Sequence, residues 1–427
     1  MKRILLFFLV ALSFGTTCQS KGIRFADFFR DSTLRINYYR EGCKMHDTVL
    51  LAQYILKHGG WAGSTTQLLD PFDNGAYRIV VKELQHGKEI YSRTYNTIFK
   101  EYCDTPEGKD QVVRYEEVMN IPFPKVAVEI QMQRRDSNEQ FATQAVFSFD
   151  PANTATTVVA SNPYYTLQQK GNPHSKMDVV IVPEGYGAAN AEKMRNDFEK
   201  FKKYLLGQEP FNGRRSDFNV YGVIAYGEES GITDPNKNIF VKSAVGSSYN
   251  TFGSDRYLMT FQLFKLHDLL DGIPCDHIII MANSDTYGGG AIYNFYAMSS
   301  LNKMANMILP HELGHSIGGL ADEYVDEDLS YGDIHTANTE PIEPNITTLV
   351  DFKSKWADMV PRKTPIPTPD NNEVGRFENG PIGAYEGAGY HSKGIYRPVM
   401  HCMMRDYAPF CPVCSKRLNE VFDLYTR

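Results

Sequence analysis

The chain is 427 residues long, 42% hydrophobic, 22% charged and 12% aromatic, which excludes a mostly disordered chain, a collagen-like repeat and a coiled-coil rod. Its formal net charge of −7, from 44 basic against 51 acidic residues, argues against a nucleic-acid partner, which calls for a basic surplus. At roughly 100–200 residues per domain, two or three domains are expected.

Near the amino end, Lys2 and Arg3 are followed by an apolar run from Ile4 to Phe14 broken only by Ser13. A basic start and so short a run describe a signal segment over residues 1–20, too short to span a bilayer as a helix. Cys18 follows Gly15-Thr16-Thr17, close to where a lipoprotein signal places its lipidated cysteine. Plain secretion and a lipid anchor at Cys18 therefore both stay open. No later segment reaches about 18 consecutive apolar residues. The expectation is an exported protein: secreted, periplasmic or lipid-anchored at the cell surface.

Residues 21–155 predict a β-sandwich. Strand-like runs recur at Thr33 to Tyr39, Tyr77 to Leu84, Glu89 to Tyr95, Lys125 to Gln131 and Ala145 to Phe149, separated by turns such as Asp73-Asn74-Gly75 and His86-Gly87. Ala152 to Pro163, rich in Ala, Thr, Ser and Asn, predicts a linker. Residues 164–427 change texture. Strand-like runs at Met177 to Val182, Phe218 to Ala225 and His277 to Met281 are spaced by helical patterns. One of these is Ala189 to Leu206, with Met194, Phe198, Phe201 and Leu205 on one face. That alternation predicts an α/β layer. The fold class is thus a multidomain α+β chain, a β-sandwich followed by an α/β domain.

His311-Glu312-Leu313-Gly314-His315 follows Leu301, Met304 and Ile308, which have helical spacing. Pro310 lies directly before His311, where it either kinks the helix or marks its start. Residues four apart share a helix face, so His311 and His315 can point two imidazoles at one ion. Glu312, offset around the helix, is placed to take a proton from a water held there. Zinc suits imidazole ligands and brings the pKa of such a water near neutrality. The bland alternative is two exposed histidines on a surface helix.

The stretch from His311 to Tyr324 resembles the active-site segment of the IgA-peptidase-type zinc metallopeptidases, a metzincin-like family. Tyr287-Gly288-Gly289-Gly290-Ala291-Ile292-Tyr293-Asn294 resembles the family's glycine-rich edge strand. Tyr396-Arg397-Pro398, Met404-Arg405 and Phe410-Cys411-Pro412-Val413-Cys414 resemble its carboxy-terminal signature, and Trp61-Ala62-Gly63-Ser64 with Pro122-Phe123-Pro124-Lys125 its accessory domain. The resemblance implies a zinc peptidase; it does not imply that this chain cuts IgA.

The metzincin pattern places its third ligand ten residues after the first His, and here that position is Ala321, which cannot bind metal. If Gly319 rather than Gly318 is the turn glycine, Asp322 falls three residues beyond it, as the ligand does in metzincins. The resemblance thus favours Asp322, with Glu323 as competitor. Among Met400, Met403 and Met404 it favours Met404 as the residue packed beneath the metal, ordinary core methionine being the plain alternative. Gly288 to Asn294 is either an edge that pairs with a peptide or a simple loop. Tyr324, Tyr385, Tyr390 and Tyr396 are candidates for an oxyanion donor, a weak choice among 26 tyrosines. Cys402, Cys411 and Cys414, near His401, suit either a disulfide from Cys402 to one of the others or a structural zinc site; in an exported chain the disulfide is favoured.

Three functions stand against one another. The first is a Zn2+ endopeptidase acting on a protein or glycoprotein substrate, with His311, His315 and Asp322 on the metal and Glu312 as general base. The second is an adhesion or glycan-binding protein with a vestigial metal site, disfavoured by the intact Glu312. The third is an amidase acting on small or cell-wall peptides.

Overall fold

Along residues 22–150 apolar and polar positions alternate, and in the computed structural model, which describes residues 22–136, 138–326, 338–370 and 373–427, they fold into two facing antiparallel sheets. The expected signal segment and Cys18 lie outside the described residues. A short helix, α1 (Phe25–Phe28), leads into β1 (Phe29–Cys43), β2 (His46–Leu56), β3 (Tyr77–Glu83) and β4 (Glu89–Tyr95). Helix α2 (Ile98–Asp104) then precedes β5 (Val113–Pro124), β6 (Val128–Arg135) and β7 (Phe141–Phe149). The sheets run β2-β1-β5 and β4-β3-β6-β7. Their inner faces meet through Leu34, Ile36 and Tyr38 on one side and Ile79, Val81, Ile130 and Met132 on the other.

Each of the five expected strand runs overlaps a strand, but β2 and β5 escape the pattern. In β2 the register against β1 shifts at Asn37/Tyr38, and Leu50 and Leu51 face solvent, so its alternation is blurred. In β5 the adjacent Glu116 and Glu117 read as surface. Glu117 is nevertheless buried, paired at 3.0 Å with the buried Arg40. Such a pair is invisible until its partner strand is placed.

The second half forms a six-stranded sheet, ordered β12-β13-β11-β9-β10-β8. Its strands are β8 (Tyr164–Gln168), β9 (Met177–Glu184), β10 (Phe218–Val223), β11 (His277–Ala282), β12 (Gly289–Ile292) and β13 (Tyr296–Ser300). The four inner strands are parallel, while β8 and β12 are antiparallel edges. Every residue of β9 is buried, as expected where a parallel strand is covered on both faces. On one face, α3 (Ala191–Leu205), α5 (Ala305–Gly318) and α7 (Pro412–Thr426) pack Phe198, Leu313 and Leu418 over Val179 and Ile181. The other face is covered by α4 (Leu263–Leu269) and by Ile98 and Val118 of the first domain. A hairpin of β14 (Tyr385–Ala388) and β15 (His391–Arg397), then α6 (Met403–Asp406), complete the chain.

The two halves are bonded where the site lies. Asn74 donates to the Gly319 carbonyl at 3.2 Å, Asn294 to the Thr94 carbonyl at 2.8 Å, and the Asn96 amide to the Tyr293 carbonyl at 3.0 Å. Among the described residues, no helix is long and apolar enough to cross a membrane.

Candidate active site

Helix α5 carries the site. Its first turn is fixed by Asn302, whose side-chain oxygen accepts from the Met304 amide at 3.0 Å and whose carbonyl accepts from the Ala305 amide at 2.8 Å. The helix therefore starts before Pro310, which sits inside it and leaves one carbonyl of the preceding turn without its usual donor. Burial of Ile308, Leu309, Leu313 and Ile317 against the sheet and neighbouring helices compensates. Gly319, at φ 60°, ends the helix in the left-handed conformation, its amide donating to the His315 carbonyl at 2.9 Å. Gly319 is thus the turn glycine, and the chain doubles back over the helix from there.

That return brings Asp322 onto the two histidines. Its Oδ1 lies 3.0 Å from His311 Nε2 and 3.3 Å from His315 Nε2, and the two Nε2 atoms are 3.2 Å apart. Each ring is oriented from behind: His311 Nδ1 donates to the Met403 carbonyl at 2.9 Å and His315 Nδ1 to the Leu320 carbonyl at 2.6 Å. These carbonyls assign the ring protons to Nδ1 and leave both Nε2 atoms as acceptors. Asp322 Oδ1 is buried and has no hydrogen-bond donor, while Oδ2 accepts from the Tyr390 hydroxyl. Three acceptors converge with nothing of opposite character between them, and this donor set fits a divalent cation. Electrostatics agree. Burial works against charge on either ring, yet Asp322 outweighs it and raises both, His315 to about 9. Burial likewise opposes ionisation of Asp322, but the two rings hold its carboxyl well below the usual range. The position attracts positive charge.

The remaining parts surround this point. Glu312 is turned to the cleft beside β12: a Cβ on Gly289 would stand 2.7 Å from its Oε1, so the strand passes close only because that residue is glycine. Burial pushes the Glu312 carboxyl up, while the two rings and Arg256 pull it down. Met404 is fully buried, its sulfur filling the space where a side chain on Gly314 would begin, between the two histidines on the helix. The cleft holds about 500 Å³. One wall comes from the α/β domain, with Gly289, Ala291, Arg256 and Tyr407, and the other from the first domain, with Asn74, Asn96, Lys100 and Glu101.

A family model described as IgA Peptidase M64 matches residues 165–380 and 375–422, and one described as Peptidase M64 N-terminus matches residues 24–146. The chain belongs to the IgA Peptidase M64 family. It is a peptidase with an accessory domain before the catalytic one. No curated protein matches the chain.

Within this M64 chain the two acids after the turn part company. Successive residues of an extended segment face opposite ways, so Asp322 meets the histidines and Glu323 points away, into a pocket with Cys402, Cys411 and Cys414. Asn345 fixes the segment: its side chain accepts from the Ala321 amide at 2.7 Å and donates to the Ala321 carbonyl and to Glu323 Oε1, both at 2.9 Å. The favoured disulfide is not formed. All six described cysteines are free, and the Cys402 and Cys414 sulfurs are 3.7 Å apart. The physical reason is that three thiols and a carboxylate share one pocket, with no two sulfurs singled out as a pair. His401 is turned to Asp406 instead.

Of the four tyrosines considered from sequence, Tyr324 and Tyr390 line the cleft, and Tyr390 is engaged by Asp322. Tyr385 donates to the Pro381 carbonyl, and Tyr396 sits on β15. Sequence reasoning missed Tyr407, whose ring centroid lies 5.6 Å from that of His311 and whose hydroxyl bonds with that of Tyr287. Its position just after the methionine turn, Met400 to Met404, is the signal that could have found it.

Proposed function

We propose that this M64 peptidase is an exported zinc endopeptidase that hydrolyses peptide bonds of protein or glycoprotein substrates. The observation that carries the reading is the convergence of His311, His315 and Asp322 on one point, with Glu312 beside it in an open cleft. Those three side chains would hold zinc, whose Lewis acidity would be available to a water and to the scissile carbonyl. Glu312 takes the proton of the attacking water and later passes it to the departing amine. Met404, packed against Gly314, supports the helix that carries both histidines.

Substrate in extended form is supported by β12. The Gly289 amide and carbonyl point outward, bonded to the Arg256 carbonyl and Leu258 amide, whereas the Gly288 carbonyl is bonded inward to Ser300. With a period of two, the polar backbone groups of Ala291 face outward as well, toward the cleft they line. A peptide strand can pair with Ala291 there. The IgA of the family's name is that family's; the substrate class proposed for this chain is wider. Export rests on Lys2, Arg3 and the apolar run to Phe14. Recovery of the native protein outside the cytoplasm with its first residues removed would support it, and recovery inside with Met1 retained would not.

The test of the whole reading is cleavage of denatured casein by the purified full chain. Cleavage should stop when a zinc chelator is added and return when zinc is restored. Undiminished cleavage after complete zinc removal would rule the zinc mechanism out.

For the oxyanion donor the cleft favours Tyr407. Burial, reinforced by the bond to Tyr287, raises its phenol so that the hydroxyl keeps its proton. Tyr407→Phe should lower kcat about 10²–10³-fold, the cost of removing one such donor, with KM little changed. An unaltered kcat would exclude Tyr407 from this role.

A further inference from the structure

The pocket behind Asp322 has more in it than packing. Four ligand atoms from three chain segments converge within 4.8 Å of one another: the sulfurs of Cys402, Cys411 and Cys414 and a carboxylate oxygen of Glu323, all four residues buried. We propose that these four side chains hold a second zinc ion, in a closed structural site separate from the catalytic one.

The spacing suits it. A tetrahedral ion with Zn–S bonds of about 2.3 Å and a Zn–O bond of about 2.0 Å sets its sulfurs about 3.8 Å apart and its sulfur and oxygen about 3.5 Å apart. The Cys402 and Cys414 sulfurs are 3.7 Å apart, and Cys414 Sγ is 3.3 Å from Glu323 Oε1. Three thiolates and one carboxylate complete a four-coordinate shell with no open position, the mark of a structural site. The backbone treats the sulfurs as acceptors: the Cys411 amide donates to Cys402 Sγ and the Cys414 amide to Cys411 Sγ, each at 3.4 Å. Such bonds favour thiolates and orient them.

One further observation points to a cation. Glu323 is completely buried, and while its Oε1 is met by Asn345 and Cys414, its Oε2 has no hydrogen-bond partner, a costly arrangement for a carboxylate. The surplus negative charge of a filled site is balanced by the first turn of α7, where Cys411 is the N-cap, and by the buried Arg397, whose field reaches Glu323. Filling the site sends the thiol protons to solvent. Zinc, which has no redox chemistry, would also keep three adjacent thiols from pairing.

The site has a purpose that its neighbours define. Glu323 follows Asp322 in the chain. Cys402 precedes Met403, whose carbonyl orients His311, and Met404, which packs against Gly314. Cys411 and Cys414 start α7, which packs on α5. One ion would therefore staple together the segment bearing Asp322, the methionine turn and the helix behind the catalytic one.

The test is the metal content of the purified full chain, grown with zinc and never exposed to chelator. Wild type should carry about two zinc per chain, and the double variant His311→Ala/His315→Ala about one. After replacement with Co2+, the histidine variant should keep an intense near-ultraviolet thiolate-to-cobalt band, which ligation by histidine and aspartate cannot produce. Cys411→Ser/Cys414→Ser should lose that band and one zinc. If the cysteine variant does not fold, the histidine variant decides alone. A histidine variant holding essentially no zinc and giving no thiolate band would overturn the proposal. So would a disulfide among Cys402, Cys411 and Cys414 in the intact mass of the unreduced protein. Failure of the endopeptidase reading would instead leave the thiolate band in place with no casein cleaved.

Discussion

Glu312→Gln is expected to lower kcat by about 10²–10⁴-fold, the usual range for loss of a general base, while zinc content and KM stay close to wild type. The separation follows from position. The proposed ligand atoms are His311 Nε2, His315 Nε2 and Asp322 Oδ1, and Glu312 is not among them, so the substitution leaves the proposed coordinating set intact. The amide matches the carboxylate in shape, which matters because Gly289 passes so close to Oε1 that a bulkier side chain would displace β12. The amide cannot accept the water's proton, so the loss falls on the chemical step. The same variant should remove the acid limb of kcat/KM. Burial raises the Glu312 carboxyl above its ordinary value, so in wild type activity falls as pH drops through that raised value and the base becomes protonated. A variant with full zinc and near-wild-type kcat would take Glu312 out of the mechanism.

How much of this was legible in the sequence depended on how local each feature is. The histidine pair and Glu312 are fixed by spacing on one helix, and β9 and α3 by their apolar periodicity. Asp322 was legible one step further out, through the glycine that breaks α5: only with Gly319 in the left-handed conformation does the chain return at the right residue. Features that depend on distant partners were not legible. Glu117 reads as surface until Arg40 is set opposite it. Glu323 looks interchangeable with Asp322 until Asn345 and the cysteines show which way it turns. Tyr407 is one tyrosine among many until the methionine turn lays it beside His311. The first domain's share of the cleft was likewise hidden, since Asn74 and Asn96 look like ordinary turn residues. The same reason explains the failed disulfide: cysteine spacing specifies that sulfurs can meet, but not that a carboxylate from another segment joins them.

Asp322→Ala should raise the zinc concentration needed for half-maximal casein cleavage by more than about 100-fold, because even changes in the outer shell of a metal site cost 10–100-fold in affinity. The effect has two parts. It removes one of the three proposed ligand atoms, leaving two imidazoles that cannot hold a divalent ion firmly by themselves. It also removes the carboxylate field that outweighs burial and draws positive charge to the rings. Neighbouring residues cannot substitute: Ala321 has no ligand atom, and Glu323 is tied to Asn345 and faces the cysteines. The backbone should stay in place, since the bonds from Asn345 to Ala321 do not involve the Asp322 side chain. Tyr390→Phe supplies the intermediate point of the series. It leaves all three ligands but takes away the hydroxyl that donates to Asp322 Oδ2, so its zinc requirement should rise by about 10–100-fold, below that of Asp322→Ala. At saturating zinc Tyr390→Phe should recover most of its activity, because the residue orients a ligand and takes no part in the proton transfers. Equal zinc requirements in wild type and Asp322→Ala would show that the third ligand lies elsewhere, and with it the geometry on which the peptidase mechanism is built.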